Sequence, residues 1–186
     1  VLVIIRELGP VLTAFLIAGR TGSALATLIG TMKVKNETDA LETLGINPIN
    51  YLVMPAVWSG TIAIIILTFL FNAVAICVGF LVVKGILFAF HDVLQISLQW
   101  NLYLSSITDA LSSVDIVLIV IKPAVFGIIV TTVACYQGLA LDYDFRNVPK
   151  ATQKSVVRSF ILVIIANMVL SLLYLPQYIA KLSGVI

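Results

Sequence analysis

From Leu52 to Val83 the chain runs without one acidic, basic or histidine side chain. A membrane-spanning helix needs about 20 mostly apolar residues, so this stretch is more than long enough to cross a bilayer. Three others qualify, at about 11–32 with residues 1–10 as an outward extension, 114–141 and 156–179. The 52–83 and 114–141 stretches exceed the minimum, which predicts tilt or ends that project from the membrane. Composition points the same way. The chain is 61% hydrophobic and 11% charged, against about 25% charge in a soluble domain, and its mean hydropathy is +1.13. Water could not solvate such a surface.

A net charge of +2 with no basic stripe argues against nucleic acid. There is no Walker A pattern, no CxxC pair, no nucleophile–base set and no metal-ligand cluster. Cys77 and Cys135 fall inside apolar stretches and read as buried small hydrophobes rather than a disulfide. His91 beside Asp92 reads as a solvated surface residue, and Asp142 and Asp144 near Arg146 read as solvated or ion-paired. No charged signal-peptide region is evident, and the chain opens in apolar residues without Met, which predicts that sequence precedes it.

The loops set an orientation. Lys33, Lys35, Arg146, Lys150, Lys154 and Arg158 lie between the first and second spans or between the third and fourth. Only Lys84 and Lys181 lie on the other side. The positive-inside rule therefore places the 33–50 and 142–158 loops in the cytoplasm and the C-terminus outside. The 33–50 segment reads as a short helix. Asn36 or Thr38 can cap it, Glu37, Asp39 and Glu42 favour its N-terminal side, and Gly45 can stop it. Pro48 and Pro55 then turn the chain back. Such a helix between two spans suits a docking lever for a soluble partner, although a plain solvated connector is the commoner fate of charged loops. In the 84–113 connection, Leu94, Ile96, Leu98 and Trp100 alternate with polar residues as in a strand. A lone strand would leave its edge unpaired, so the segment is expected to be an interfacial helix on the outer side, with Trp100 and Tyr103 at the interface.

Charges within the apolar stretches are the candidate functional groups. Arg6-Glu7-Leu8-Gly9-Pro10 interrupts the start of the first span, which then carries Ala14, Ala18, Gly22, Ala26 and Gly30 at every fourth position. Small residues at that spacing let another helix approach closely in lipid. Lys122, followed by Pro123, lies about 12 Å inside the third span. Glu7 can pair with Lys122 and leave Arg6 for an anion such as a phosphate, the trio carrying one net positive charge. The equally weighted alternative is a structural ion pair with Arg6 snorkelling to the interface. Arg20 is expected to snorkel or to cap the carbonyls of a neighbouring helix.

The residues Arg6 to Ala14, then Ala18-Gly19-Arg20-Thr21-Gly22-Ser23-Ala24, resemble the signature of the MlaE family of ABC-transporter permeases. The resemblance continues through Gly30 to Val34, Asp39 to Pro48, Tyr51 to Pro55, Lys122 to Gly127 and Val148 to Val157, covering essentially the whole chain. It implies a homodimeric permease of the bacterial inner membrane, driven by two cytoplasmic ATPase subunits that bind the ATP and magnesium. A periplasmic MCE-domain protein on its outer face would exchange phospholipid with it. On that resemblance Arg6, Glu7 and Lys122 would line the lipid cavity. Glu37, Asp39, Leu41, Glu42 and Gly45 would belong to the coupling helix that docks in the ATPase. The family's interfacial helix and first spanning helix would precede this block, so residues 1–186 would be one permease domain without them. The loop from Leu139 to Asn147 departs from the Gly-rich loop expected there.

The reading is therefore an all-α polytopic permease with four spanning helices, a cytoplasmic coupling helix and an outer interfacial helix. It would be a transport subunit and not an enzyme. Two other classes compete: a membrane scaffold or assembly protein without a transported substrate, and an ion-coupled secondary transporter. The latter usually carries an internal repeat, and none is evident.

Overall fold

A computed structural model describes residues 4–89, 105, 113–141 and 144–182. The expected interfacial helix at 94–103, together with His91, Asp92 and Asp142, lies outside them. Among the described residues there is no strand. Helix α1 spans Ile4–Val34 and α2 spans Glu37–Thr43. Helix α3, Met54–Ala89, is entered through a turn at Ile49–Val53. Helix α4 is Ser113–Leu139, and α5, Val148–Leu182, follows a 3-10 turn at Phe145–Asn147. The four long helices are apolar enough to cross a membrane, which makes this an all-α polytopic membrane protein.

Three wide, π-type turns punctuate these helices, at Ile4–Leu8, Ala18–Gly22 and Ile49–Val53. Two have a local cause. Pro10 has no N–H for the Arg6 carbonyl, and Pro55 none for that of Tyr51, and each ring needs room in the turn before it. A wider turn supplies that room. The sequence led us to expect a bend at Pro55 but not this form. Pro123 is buried within α4, which continues through it.

Helix α4 packs against α1, α3 and α5, and α1 touches all three of the other long helices. The core is Ala14, Ile17 and Ala18 of α1, Ile64 of α3, Phe126 and Val130 of α4, and Val163 of α5. The small-residue row of α1 faces this interior: Ala14, Ala18, Gly22, Ala26 and Gly30 are all buried. Its partners lie within the same chain. A Cβ on Gly30 would come 2.5 Å from Leu141 Cδ1, and one on Gly138 would come 2.9 Å from Ile29 Cβ. A matching row was overlooked on α5. Ala151, Ser155, Ser159 and Val163 are buried at every fourth position, and Asn167 and Ser171 continue the row half-buried.

Three expectations need correction. Helix α5 begins at Val148, eight residues before the expected span. Lys150, Lys154 and Arg158 therefore ride on a helix rather than in a loop, and with Arg146 they form an exposed row at every fourth position. A basic stripe does exist, seen only once the helix start is placed, because spacing four aligns side chains only on a helix. Cys77 is exposed on α3 while Cys135 is buried, both as free thiols. Arg20, by contrast, is exposed, which is compatible with the snorkelling alternative.

Only 17% of the α3 span and 11% of the α5 span are buried within the chain. Trp58, Ile66, Leu70 and Leu81 of α3, and Ile165 and Leu173 of α5, stand exposed. Apolar faces of this extent need a covering that is not water, and hydrocarbon supplies it.

Candidate functional site

At the end of the bundle where α1 begins, three helices bring polar side chains together. The Lys122 ammonium of α4 donates to Glu7 Oε1 of α1 at 2.7 Å and to Ser171 Oγ of α5 at 3.3 Å. Ser171 Oγ in turn donates to Glu7 Oε2 at 3.0 Å. The carboxylate thus has a partner on each oxygen. Lys122 is 1% exposed, whereas the Glu7 side chain keeps 34% of its surface open. A buried ammonium is tolerable in such a place only beside an anion. Glu7 supplies the charge and opens one side of the cluster to the exterior.

The expected Glu7–Lys122 pairing is present. Arg6, half-buried in the same wide turn, has an interaction partner of its own. Ser171 was missed. Its signal was the spacing-four row on α5, of which it is the last described polar member.

A second polar seam runs beside the cluster, between α1 and α3. Thr13 and Thr68 share a hydrogen bond of 2.8 Å between their hydroxyls. One turn further, Asn72 is 6% exposed, and neither its amide oxygen nor its nitrogen has a hydrogen-bond partner. It lies against Gly9, where any Cβ would collide with its Oδ1. An amide inside an apolar run was a readable signal that went unused.

The other candidate residues lie at the far end of α1, about 40 Å from Glu7 at 1.5 Å per residue. Asn36 precedes α2 in the left-handed region, at φ 60°, and makes no side-chain cap. Thr38 is buried in the first turn and bonds to Asp39 instead. Asp39 forms an ion pair of 2.9 Å with Lys33, which ties α2 to the end of α1. Gly45, at φ 74°, ends the helix: its N–H reaches the Glu42 carbonyl at 2.9 Å, and the Ile46 N–H reaches that of Leu41 at 3.0 Å. Both bonds of a Schellman stop are present. Leu41 is half-buried, while Glu37 and Glu42 are exposed. An open cleft of about 420 Å³ adjoins this end, lined by Glu42, Gly45, Ile46, Asn47, Pro48 and Ile49. Leu44, 73% exposed, stands next to it. Acidic and apolar groups together on a loop surface are suited to receive a soluble protein.

The arrangement is thus a charged cluster at one end of a helical bundle, an α2 surface at the other, and continuous helices between. Among the described residues no group of His, Cys, Asp or Glu is placed to hold a metal. The family described as Permease MlaE matches residues 1–173. A probable ABC transporter permease protein of Rickettsia bellii is 34% identical over 174 residues, covering 94% of this chain and 64% of that protein. The intermembrane phospholipid transport system permease protein MlaE of Haemophilus influenzae is 34% identical over 172 residues, 90% of this chain and 61% of the relative. Protein TRIGALACTOSYLDIACYLGLYCEROL 1, chloroplastic, of Arabidopsis thaliana is 35% identical over 166 residues, 89% of this chain and 45% of the relative. The chain thus spans less than two thirds of the length of these relatives.

Proposed function

Because the chain belongs to the MlaE permease family, we propose that it is the membrane half of an ABC transporter that moves phospholipid between the bacterial inner membrane and a periplasmic MCE-domain protein. The observation that carries this reading is the Glu7–Lys122–Ser171 cluster, a buried charge held inside membrane-length helices with one side open. Ionisable groups at such positions mark substrate paths. The name of the Haemophilus influenzae relative, which specifies phospholipid, supports the choice of substrate.

In this reading the chain acts as a homodimer. Arg6 and Lys122 attract the lipid phosphate while Glu7 holds the Lys122 ammonium in place. Acyl chains meet the apolar walls. The basic row and α2 lie on the cytoplasmic side and the C-terminus on the periplasmic side, following the positive-inside rule. Two ATPase subunits bind ATP and magnesium and take up the α2 surface through Glu37, Leu41, Glu42 and Leu44. Asp39 and Gly45 act differently, holding α2 to α1 and fixing its end. Since α2 follows α1 after a short turn, movement of the docked ATPase pulls on the helix that carries Arg6 and Glu7.

Gentle purification of the tagged whole protein from its membrane, with mass spectrometry of everything that accompanies it, tests the reading. An ATPase, an MCE-domain protein and stoichiometric phospholipid are expected. Recovery without a nucleotide-binding partner and with bulk lipid only would overturn it in favour of a scaffold or an ion-coupled transporter.

A further inference from the structure

Between α4 and α5, toward the end where α5 begins, lies an open groove of about 470 Å³ lined by Thr132, Val133, Tyr136 and Gln137 of α4 and by Arg158 and Ile161 of α5. Ligand sites typically enclose about 300–1,000 Å³. The groove lies about 15 Å or more along α4 from Lys122, at 1.5 Å per residue, so it is separate from the charged cluster. Its walls are almost wholly carbon, which suits a hydrocarbon chain.

Arg158 is the exception. It is exposed and makes no ion pair or hydrogen bond with any described residue. It also stands about 15 Å along α5 from its start, beyond the end of Lys150 and Lys154 in the same row. A cation within a spanning helix is costly unless it finds an anion or reaches the interface. Helical side chains lean toward the helix N-terminus, so the guanidinium reaches back toward Lys154 and the headgroup level. Gln137 adds an unmet donor in the same wall: it is 6% exposed and its Nε2 has no hydrogen-bond partner.

We propose that this groove binds an acidic phospholipid of the leaflet nearest Lys154, with its phosphate on Arg158 and one acyl chain along the apolar walls. The guanidinium fork matches phosphate oxygens, and the row Arg146, Lys150, Lys154 and Arg158 supplies the positive field that draws an anionic headgroup. An apolar protein segment would fill the groove but leave the Arg158 charge unanswered. A phospholipid answers both in one molecule. The site requires that α4 and α5 span a membrane, and does not require that the chain transports lipid.

The whole purified protein in nanodiscs of mixed phosphatidylglycerol and phosphatidylcholine, released for native mass spectrometry, provides the test. Retained phosphatidylglycerol is expected to fall about fivefold in Arg158→Gln, the equivalent of about 1 kcal/mol for one cation at an anionic surface. Thr132→Trp, which fills the groove without touching the charge, is expected to do the same. The Arg158→Gln loss should persist in a Glu7→Leu/Lys122→Met background. A loss that vanishes there would assign the lipid to the charged cluster and overturn the proposal. So would unchanged retention in Arg158→Gln, equal retention of the two lipids by the unaltered protein, or a Thr132→Cys disulfide between two copies with no lipid held.

Discussion

The two partners of the Glu7–Lys122 pair are buried to different extents, and removing them one at a time should have unequal effects. Glu7→Leu leaves the Lys122 ammonium, 1% exposed, with only the Ser171 hydroxyl at 3.3 Å. Breaking a buried pair in this way costs about 3–5 kcal/mol. Lys122→Met fills the space of the lysine stem with an apolar chain. The Glu7 carboxylate then keeps the Ser171 hydroxyl at 3.0 Å and its 34% open surface, and the loss should be nearer about 1–3 kcal/mol. In the double variant no charge is stranded, and an apolar replacement of a buried pair is often close to neutral. For a chain of this size, each kcal/mol moves the melting temperature by about 2–4 °C. Thermal unfolding in detergent, followed by tryptophan fluorescence, should therefore rank the proteins as unaltered, double variant, Lys122→Met and then Glu7→Leu. Lipid transfer should be lost in all three variants, including the stable double. Equal losses for the single variants, with the double the least stable of all, would mean that the two charges are not coupled and would refute the reasoning. A double variant that still transfers lipid would reduce the cluster to a structural brace.

Other substitutions probe the packing and the far end of α1. Gly127→Ala places a Cβ 2.7 Å from Thr61 Cα, and overpacking of a helix contact costs about 1–3 kcal/mol. Gly19→Ala meets nothing within 4 Å and should stabilise by about 0.5–1 kcal/mol. The two melting curves should shift in opposite directions. Gly45→Ala, at φ 74° with open space around it, should cost about 1–2 kcal/mol through backbone strain alone and loosen the end of α2, as read by faster amide exchange there. Charge reversal at Glu37 and Glu42 should leave the melting temperature unchanged while abolishing co-purification of the ATPase. Assembly that persists would reject α2 as its docking surface.

Much of the architecture was legible in the sequence. Four apolar stretches of spanning length, the helix stop at Gly45 and the inward row of small residues on α1 all follow from local chemistry and from spacings of three or four residues along one helix. The candidate pairing of Glu7 with Lys122 was legible too, because two opposite charges in apolar surroundings have few other ways to be tolerated. The row from Ala151 to Ser171 could have been read by the same spacing rule, since Ser159, Val163, Asn167 and Ser171 all lie within the expected 156–179 span.

The sequence by itself determined that the chain must be helical in a membrane, since hydrocarbon leaves the backbone no partner but itself. It also determined which residues are too polar to face lipid. Only the tertiary structure decided what they face. Ser171 joins Glu7, 164 residues away, and Lys122, 49 residues away, Asn72 is enclosed against Gly9, and Arg158 is turned outward onto an apolar groove. Those outcomes depend on the rotation and depth of each helix against its neighbours. Close approach at small residues sets these, and a periodicity along one helix does not contain them.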